Sequence, residues 1–354
     1  MSRCLIENYR NIPGEHCGST AMRNLLFYYR GVELSEEEVF GLGAGADCVL
    51  IESESVVPGV LLFGRGATLE RDVAEALGVD YREQVEFDDE KAWRVVRDEV
   101  QAGRPTMLSG DVLYLDYRDF KVHFPGHRFV LVGFDDEREV ALVADRLDVE
   151  IQECSYAALA RSRNPKDFIS TYNTWGRFGE SASHRDLRDA FALALARNAA
   201  RMLDRDRDSA PGFGALHEAK PASVHTGIEA LEALVEVVAG LGDRPNAREI
   251  ARYAAACIES FGTGGGNFRK LYAGFLCKAR EYVPGLVSRQ ACEQARRSAE
   301  SWTVLSEHLR AFSKTGVPST LTEASSTVTR IRDLESDLFD KLASATVHGG
   351  VRAN

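Results

Sequence analysis

The chain has 354 residues, 44% of them apolar and 27% charged, and a formal net charge of −11. That length supports a large core and about two domains, and no apolar run approaches the ~18 residues of a membrane span. An acidic chain without a long basic stripe excludes nucleic acid as an expected partner, and no basic-then-apolar leader opens it, so a cytoplasmic protein is expected.

The charge is uneven. Residues 1–150 hold 16 Lys+Arg against 30 Asp+Glu, a net −14, while the remainder holds 27 against 24, a net +3. Seven cysteines are scattered singly, with no Cys-x-x-Cys and no Cys/His cluster at ligand spacing. This pattern opposes both a disulfide framework and structural zinc, and no metal or cofactor is expected.

Taken in order, the first informative stretch is the loop Asn11-Ile12-Pro13-Gly14-Glu15-His16, followed by Cys17-Gly18-Ser19-Thr20 and an apolar run through Tyr29. The run has helical spacing and stops at Gly31, which places Cys17 at a helix N-terminus. There the open backbone N–H groups and the helix dipole favour a thiolate, the reactive form of cysteine. The same residue sealed in an apolar core would be inert. Asn11 carries an amide that could hold the oxygen of a substrate bound to the sulfur, and His16 could touch that substrate.

Ser35 followed by Glu38 opens a second helix in capping-box spacing, which ends at the flexible Gly41–Gly45. Val57–Phe63 reads as a strand, Thr68–Leu77 as a helix closed by Gly78, Tyr81–Phe87 as a strand, Asp88–Ala102 as a helix, and Pro105–Ser109 as the start of another strand. His127 opens a nearly continuous β run to Phe134. Asp135-Asp136 turns it, and Val140–Asp145 returns as the partner strand. Antiparallel pairing brings the start of one strand beside the end of the next, hence His127 beside Asp145. A carboxylate there would fix the imidazole tautomer, and the imidazole could deprotonate a thiol. His123, before Pro125-Gly126, is the competing base and otherwise a substrate-lining residue. Glu153–Gly179 bridges to a helical region, with helices expected over 185–203, 225–239, 247–260, 267–282, 288–312 and 321–345. Asp204–Gly214 reads as an exposed connection. The backbone of Gly262–Gly266 could hold a carboxylate or phosphate, although a plain flexible loop explains it as well.

Cys, His and Asp in that chain order resemble papain-like cysteine enzymes. The runs His16–Leu26, Leu34-Ser35-Glu36 leading to Gly41-Leu42-Gly43, and Gly126–Asp136 resemble more closely the butirosin biosynthesis protein H family, with weaker likeness around Gly262–Arg269 and Leu271–Leu276. The resemblance implies an α+β papain-like domain over 1–160 and an all-α domain over 180–354. It implies Cys17 as nucleophile, His127 as base, Asp145 as orienting acid and Asn11 in the oxyanion hole, although papain-like enzymes usually carry Gln there. His16, His123, Gly264, Gly265 and Arg269 are the candidates for substrate binding.

The activity it implies is transfer of an aminoacyl group from a thioester, on an acyl carrier protein or a small molecule, to an amine in natural-product biosynthesis. Basic residues such as Arg269, Lys270, Arg296 and Arg297 would meet an acidic carrier. The same three residues would equally serve a hydrolase with water as acceptor, and a degenerate, non-catalytic binding protein is the third reading. A homo-oligomer is compatible with all three.

Overall fold

The structure, a computed structural model, describes residues 3–55, 57–180, 183–203 and 223–351. The expected connection at 204–214 lies outside them. In chain order the first elements are β1 (Arg3–Leu5), α1 (Cys17–Arg30), α2 (Glu36–Leu42), β2 (Ala46–Glu52), β3 (Val60–Arg65) and α3 (Leu69–Leu77). Then come β4 (Tyr81–Gln84), α4 (Asp89–Gln101), β5 (Thr106–Gly110), β6 (His127–Asp135), β7 (Val140–Ala144), β8 (Gln152–Ser155), α5 (Tyr156–Arg163) and β9 (Trp175–Phe178). The last are α6 (Leu187–Met202), β10 (Ser223–Thr226), α7 (Gly227–Ala239), α8 (Ala247–Glu259), α9 (Arg269–Tyr282), α10 (Arg289–Thr315) and α11 (Ser319–His348).

The chain forms two compact units, and neither is contiguous in sequence. The first gathers residues up to Glu36 and then Val79–His184; the second holds Glu37–Gly78 with the C-terminal helices. In the first, a seven-stranded antiparallel sheet runs β4-β9-β5-β6-β7-β8, with β1 paired to the far end of β6. β6 is its spine. Its side chains from Phe129 to Phe134 are all buried, as an apolar run without alternation requires. Leu108, Phe129, Leu131 and Val143 pack with Val96 and Val100 of α4 and Leu159 of α5. Helix α1 lies on β6 and β9. It ends at Gly31, whose φ of 64° is left-handed and whose N–H closes on the Phe27 carbonyl.

The segment 153–179 differs from expectation. It is no bridge but part of the sheet: β8 extends one edge and β9 inserts between β4 and β5. Tyr172 and Asn173 at positive φ (48° and 53°) turn the chain into β9, a short strand whose composition carries little β signal.

The second unit is mainly helical. α7, α8, α10 and α11 bury Leu231, Ile250, Ile258, Trp302, Leu309, Val328 and Ile331 in one core with Leu50 and Leu62. It is not all-α, because β10, β2 and β3 form a three-stranded antiparallel sheet inside it. The helix expected over 225–239 starts only at Gly227; Ser223–Thr226 pairs with Val49–Glu52, more than 170 residues away, and is a strand. Among the described residues no helix is long and apolar enough to cross a membrane.

Candidate active site

The loop before α1 is fixed by groups remote in sequence. Glu36 is buried, and its carboxylate accepts from the Glu15 N–H (2.8 Å), the His16 N–H (2.7 Å), the Ser19 hydroxyl (2.9 Å) and the Thr20 hydroxyl (3.2 Å). Gly14 stands so close that an added Cβ would collide with Thr20 and this carboxylate, so only glycine fits. The Gly14 N–H donates to the Arg146 carbonyl, and the Arg146 guanidinium donates to the Glu15 carbonyl. From α1 itself, Arg23 and Asn24 reach back to the carbonyls of Ile12 and Pro13. His16 is the N-cap: extended in its backbone, it accepts the Ser19 N–H on Nδ1 at 3.2 Å. Cys17 is therefore the first helical residue, 5% exposed.

The second half of the site comes from the sheet. Val130 pairs with Ala144, and continuing that register sets Asp145 opposite Phe129 with His127 diagonal to it on the same face. His127 Nε2 lies 2.9 Å from Asp145 Oδ2, while the ring hydrogen-bonds the Cys17 thiol. With Nε2 on the carboxylate, Nδ1 is the nitrogen left for sulfur. Asp145 is fully buried and heavily solicited. Its Oδ2 also accepts from Tyr117 Oη (2.9 Å) and pairs with Arg118 (Nε 3.0 Å, Nη2 2.7 Å), and its Oδ1 accepts the Arg146 N–H (2.6 Å).

The charges follow from this geometry. Burial pushes the Cys17 thiol up, but hydrogen bonds from His127 and His16, and their charge, hold it well below the ordinary thiol range. Burial pulls His127 down, and the Asp145 carboxylate and then the Cys17 sulfur raise it to about 9. Asp145 is held well below the usual carboxylate range: burial opposes ionisation, and His127 and Arg118 overcome it. A thiolate–imidazolium pair results, with a carboxylate behind the ring. The other buried thiols behave oppositely. Burial pushes Cys48 and Cys154 far up, Cys257 to about 12 and Cys292 to about 11.

Cys17, His127 and Asp145 thus stand together, and the remaining candidates do not join them as expected. His123 Nδ1 pairs with Asp111 Oδ2 at 2.6 Å and its ring stacks on Phe168, centroids 3.7 Å apart, so the imidazole at the thiol is His127. The Asn11 amide group is already committed. Its Nδ2 donates to the carbonyls of Asp145 (3.0 Å) and Asp148 (2.6 Å), and its Oδ1 accepts from Asn24, which makes it a brace between loops rather than an oxyanion donor. His16 lies at the sulfur, as a cap.

Arg269 is 2% exposed and forms a bidentate pair with Glu335 (2.9 and 2.8 Å). Its Nη1 donates to the carbonyls of Asp47, Gly64 and Asn267, so it is a core brace and cannot meet a substrate or a carrier. The loop holding Gly264 and Gly265 closes on itself: the Gly265 N–H donates to the Thr263 hydroxyl and the Gly266 N–H to Glu259. Glu36, Tyr117 and Arg118 were missed. Glu36 looked like an ordinary acid at a helix start, and Tyr117-Arg118 sits in a loop with no recognisable pattern.

The model of the butirosin biosynthesis protein H N-terminal domain matches residues 16–146, the interval that opens on His16-Cys17 and closes just past Asp145. A domain of unknown function, DUF4872, matches 157–342. The chain belongs to the butirosin biosynthesis protein H-like family. It has a sheet domain carrying the site and a helical C-terminal region. Among solved structures it is similar to one described as a C39-like peptidase from Bacillus anthracis, at 12% identity and a TM-score of 0.34, over 51% of this chain and 99% of that one. No curated protein matches.

Proposed function

We propose that the protein transfers an acyl or aminoacyl group from a thioester to an amine through an acyl-Cys17 intermediate. The observation that carries this reading is the buried Cys17 thiol hydrogen-bonded to the His127 ring while Asp145 holds Nε2. The match of residues 16–146 to the butirosin biosynthesis protein H N-terminal domain supports it.

In the first half-reaction the Cys17 thiolate attacks the thioester carbonyl. The developing oxyanion is received by the opening turn of α1, where the Cys17 N–H stands in place of the committed Asn11 amide. Collapse breaks the donor C–S bond, and the leaving thiolate takes the proton held on His127 Nδ1. In the second half-reaction the amine attacks the acyl-Cys17 carbonyl, His127 Nδ1 accepts its proton, and the C–S bond to Cys17 breaks to give an amide and the thiolate–imidazolium pair again. Asp145 stays ionised throughout and compensates the imidazolium.

The donor is proposed to be carried on an acyl carrier protein or a small thiol, with a small amine as acceptor. Incubation with a panel of acyl-carrier and acyl-pantetheine thioesters, read by intact-protein mass spectrometry, should give an acyl adduct that maps to Cys17 and is discharged by an amine with ping-pong kinetics. Discharge by water alone, indifferent to every amine offered, would make it a hydrolase. No adduct with any donor would refute acyl transfer.

A further inference from the structure

The carboxylate of the site is itself held by a loop. β5 ends at Gly110, which pairs with His127 at the start of β6. The chain between them brings Tyr117 Oη (2.9 Å) and the Arg118 guanidinium (3.0 and 2.7 Å) to Asp145 Oδ2. The outgoing half of this loop is anchored by packing, with Val112 and Leu115 in the core. The returning half is not, because no residue from Asp116 to Gly126 is buried as a whole. At its exposed apex Asp116 accepts the Ser155 N–H (3.2 Å). The buried tie is Asp111, 0% exposed. Its Oδ1 accepts the Leu113 N–H (3.1 Å) and, across the loop, the Phe124 N–H (2.8 Å), while Oδ2 meets His123 Nδ1 (2.6 Å). The Val112 N–H adds a bond to the Phe124 carbonyl (3.2 Å). Asp111 is fixed in turn to α5: its N–H donates to the Ser162 carbonyl (2.8 Å), and its carbonyl accepts from the Ser162 hydroxyl (2.9 Å).

Both ends of the loop are thus tied at one carboxylate, and the donors to Asp145 lie between them. We infer that Asp111 is a positioning residue for this site: by closing the loop it keeps Tyr117 and Arg118 on the Asp145 carboxylate, and through Asp145 it orients the His127 ring. None of its own bonds goes to Cys17, His127 or Asp145. Its contribution is conformational. On an open loop residues 116–123 would sample many arrangements, and an arginine on such a loop gives up much of its ion pair to water. The electrostatic consequence has a definite sign. An Arg118 that swings away takes a positive charge from beside Asp145 and His127, so the Cys17 thiol becomes harder to ionise. Loss of the Asp111 negative charge by itself acts in the opposite direction, which separates positioning from a through-space field.

The inference rests on Cys17, His127 and Asp145 acting together and not on which acceptor takes the acyl group, so it is tested without substrate. The probe is alkylation of Cys17 by iodoacetamide, followed against pH. Arg118→Met, which removes the cation, should move the acid limb up by about one pH unit, or about tenfold slower alkylation at a fixed pH on that limb. Asp111→Ser keeps a good cap for the Leu113 N–H but is too short to hold Phe124 as well, so it opens the loop. It should move the limb in the same direction, to about threefold slower alkylation, and add nothing in the Arg118→Met background. Asp111→Asn removes the charge but keeps an oxygen for both main-chain N–H groups, so it should restore the wild-type limb. An acid limb left in place by Arg118→Met, or left in place or moved down by Asp111→Ser, would overturn the inference, as would two shifts that add in the double variant. An upward shift in Asp111→Asn would overturn it equally, and that result is available even where the serine variant does not fold.

Discussion

Replacing Asp145 with Asn is the most discriminating perturbation of this site. The carboxylate meets donors on both oxygens: His127 Nε2, Tyr117 Oη and Arg118 on Oδ2, and the Arg146 N–H on Oδ1. An amide of the same shape must turn its NH2 toward one of these sets. Facing Oδ2's partners, it makes His127 Nε2 the acceptor, which moves the ring proton to Nδ1 and points an N–H at the sulfur. The base is then in the wrong tautomer to take a proton, and kcat/KM should fall about 10³-fold. Stability suffers for a different reason. At 2.7 Å from Asp145, Arg118 has a gross attraction of about 6 kcal/mol at an effective dielectric of about 20. Desolvation offsets part of it, and stranding the buried guanidinium should cost about 3–5 kcal/mol in urea unfolding. Adding Arg118→Met removes the stranded charge, so the double variant should recover most of the stability and none of the activity. If Asp145→Asn keeps wild-type alkylation of Cys17 at pH 6, or if the double variant recovers turnover, the tautomer argument is wrong.

Other outcomes follow from the same geometry. Cys17→Ser should fold normally, with a thermal midpoint within ~2 °C of wild type, and form no acyl adduct, because a serine hydroxyl is not ionised by this imidazole pair. Activity against pH should be bell-shaped. It rises with thiolate formation well below the ordinary thiol range and falls as His127 deprotonates near 9. The stability contribution of His127, raised in the folded state, should be complete below about 6.5 and lost as pH rises through about 9. That of Asp145, depressed in the folded state, is present above about 3.9 and is lost only in strong acid. His123→Ala should leave iodoacetamide labelling of Cys17 within about twofold at every pH, since His123 serves Asp111 and Phe168; a shifted profile would place it at the sulfur.

What the sequence made legible was local. Cys17 at a helix mouth, Gly31 closing that helix and the β6–β7 hairpin all follow from patterns within a few residues, and each stands as read, to within a residue or two. His127 could be preferred over His123 because one sits on a strand whose register is fixed by burial and the other in a loop. The misreadings share one physical origin. Arginine reads as a surface residue, and Arg269 is buried only because Glu335, 66 positions later, and three backbone carbonyls meet it. Ser223–Thr226 is a strand only because β2 offers an edge.

The same distance in sequence explains why the supports of the site were invisible although Cys17, His127 and Asp145 were not. A nucleophile and a base must be particular residue types at particular places, and that leaves a pattern. A group that holds a main-chain N–H needs only to be an acceptor arriving from anywhere. Glu36 does this for the cysteine loop from 20 residues away, and Asn11 ties the same loop to the Asp145 and Asp148 carbonyls from 134 and 137 positions away. Asn11 therefore joins the nucleophile half of the site to the imidazole half without touching either reacting atom. Its amide is spent on bracing, so under the proposed acyl transfer the negative charge of the transition state falls to the backbone of α1.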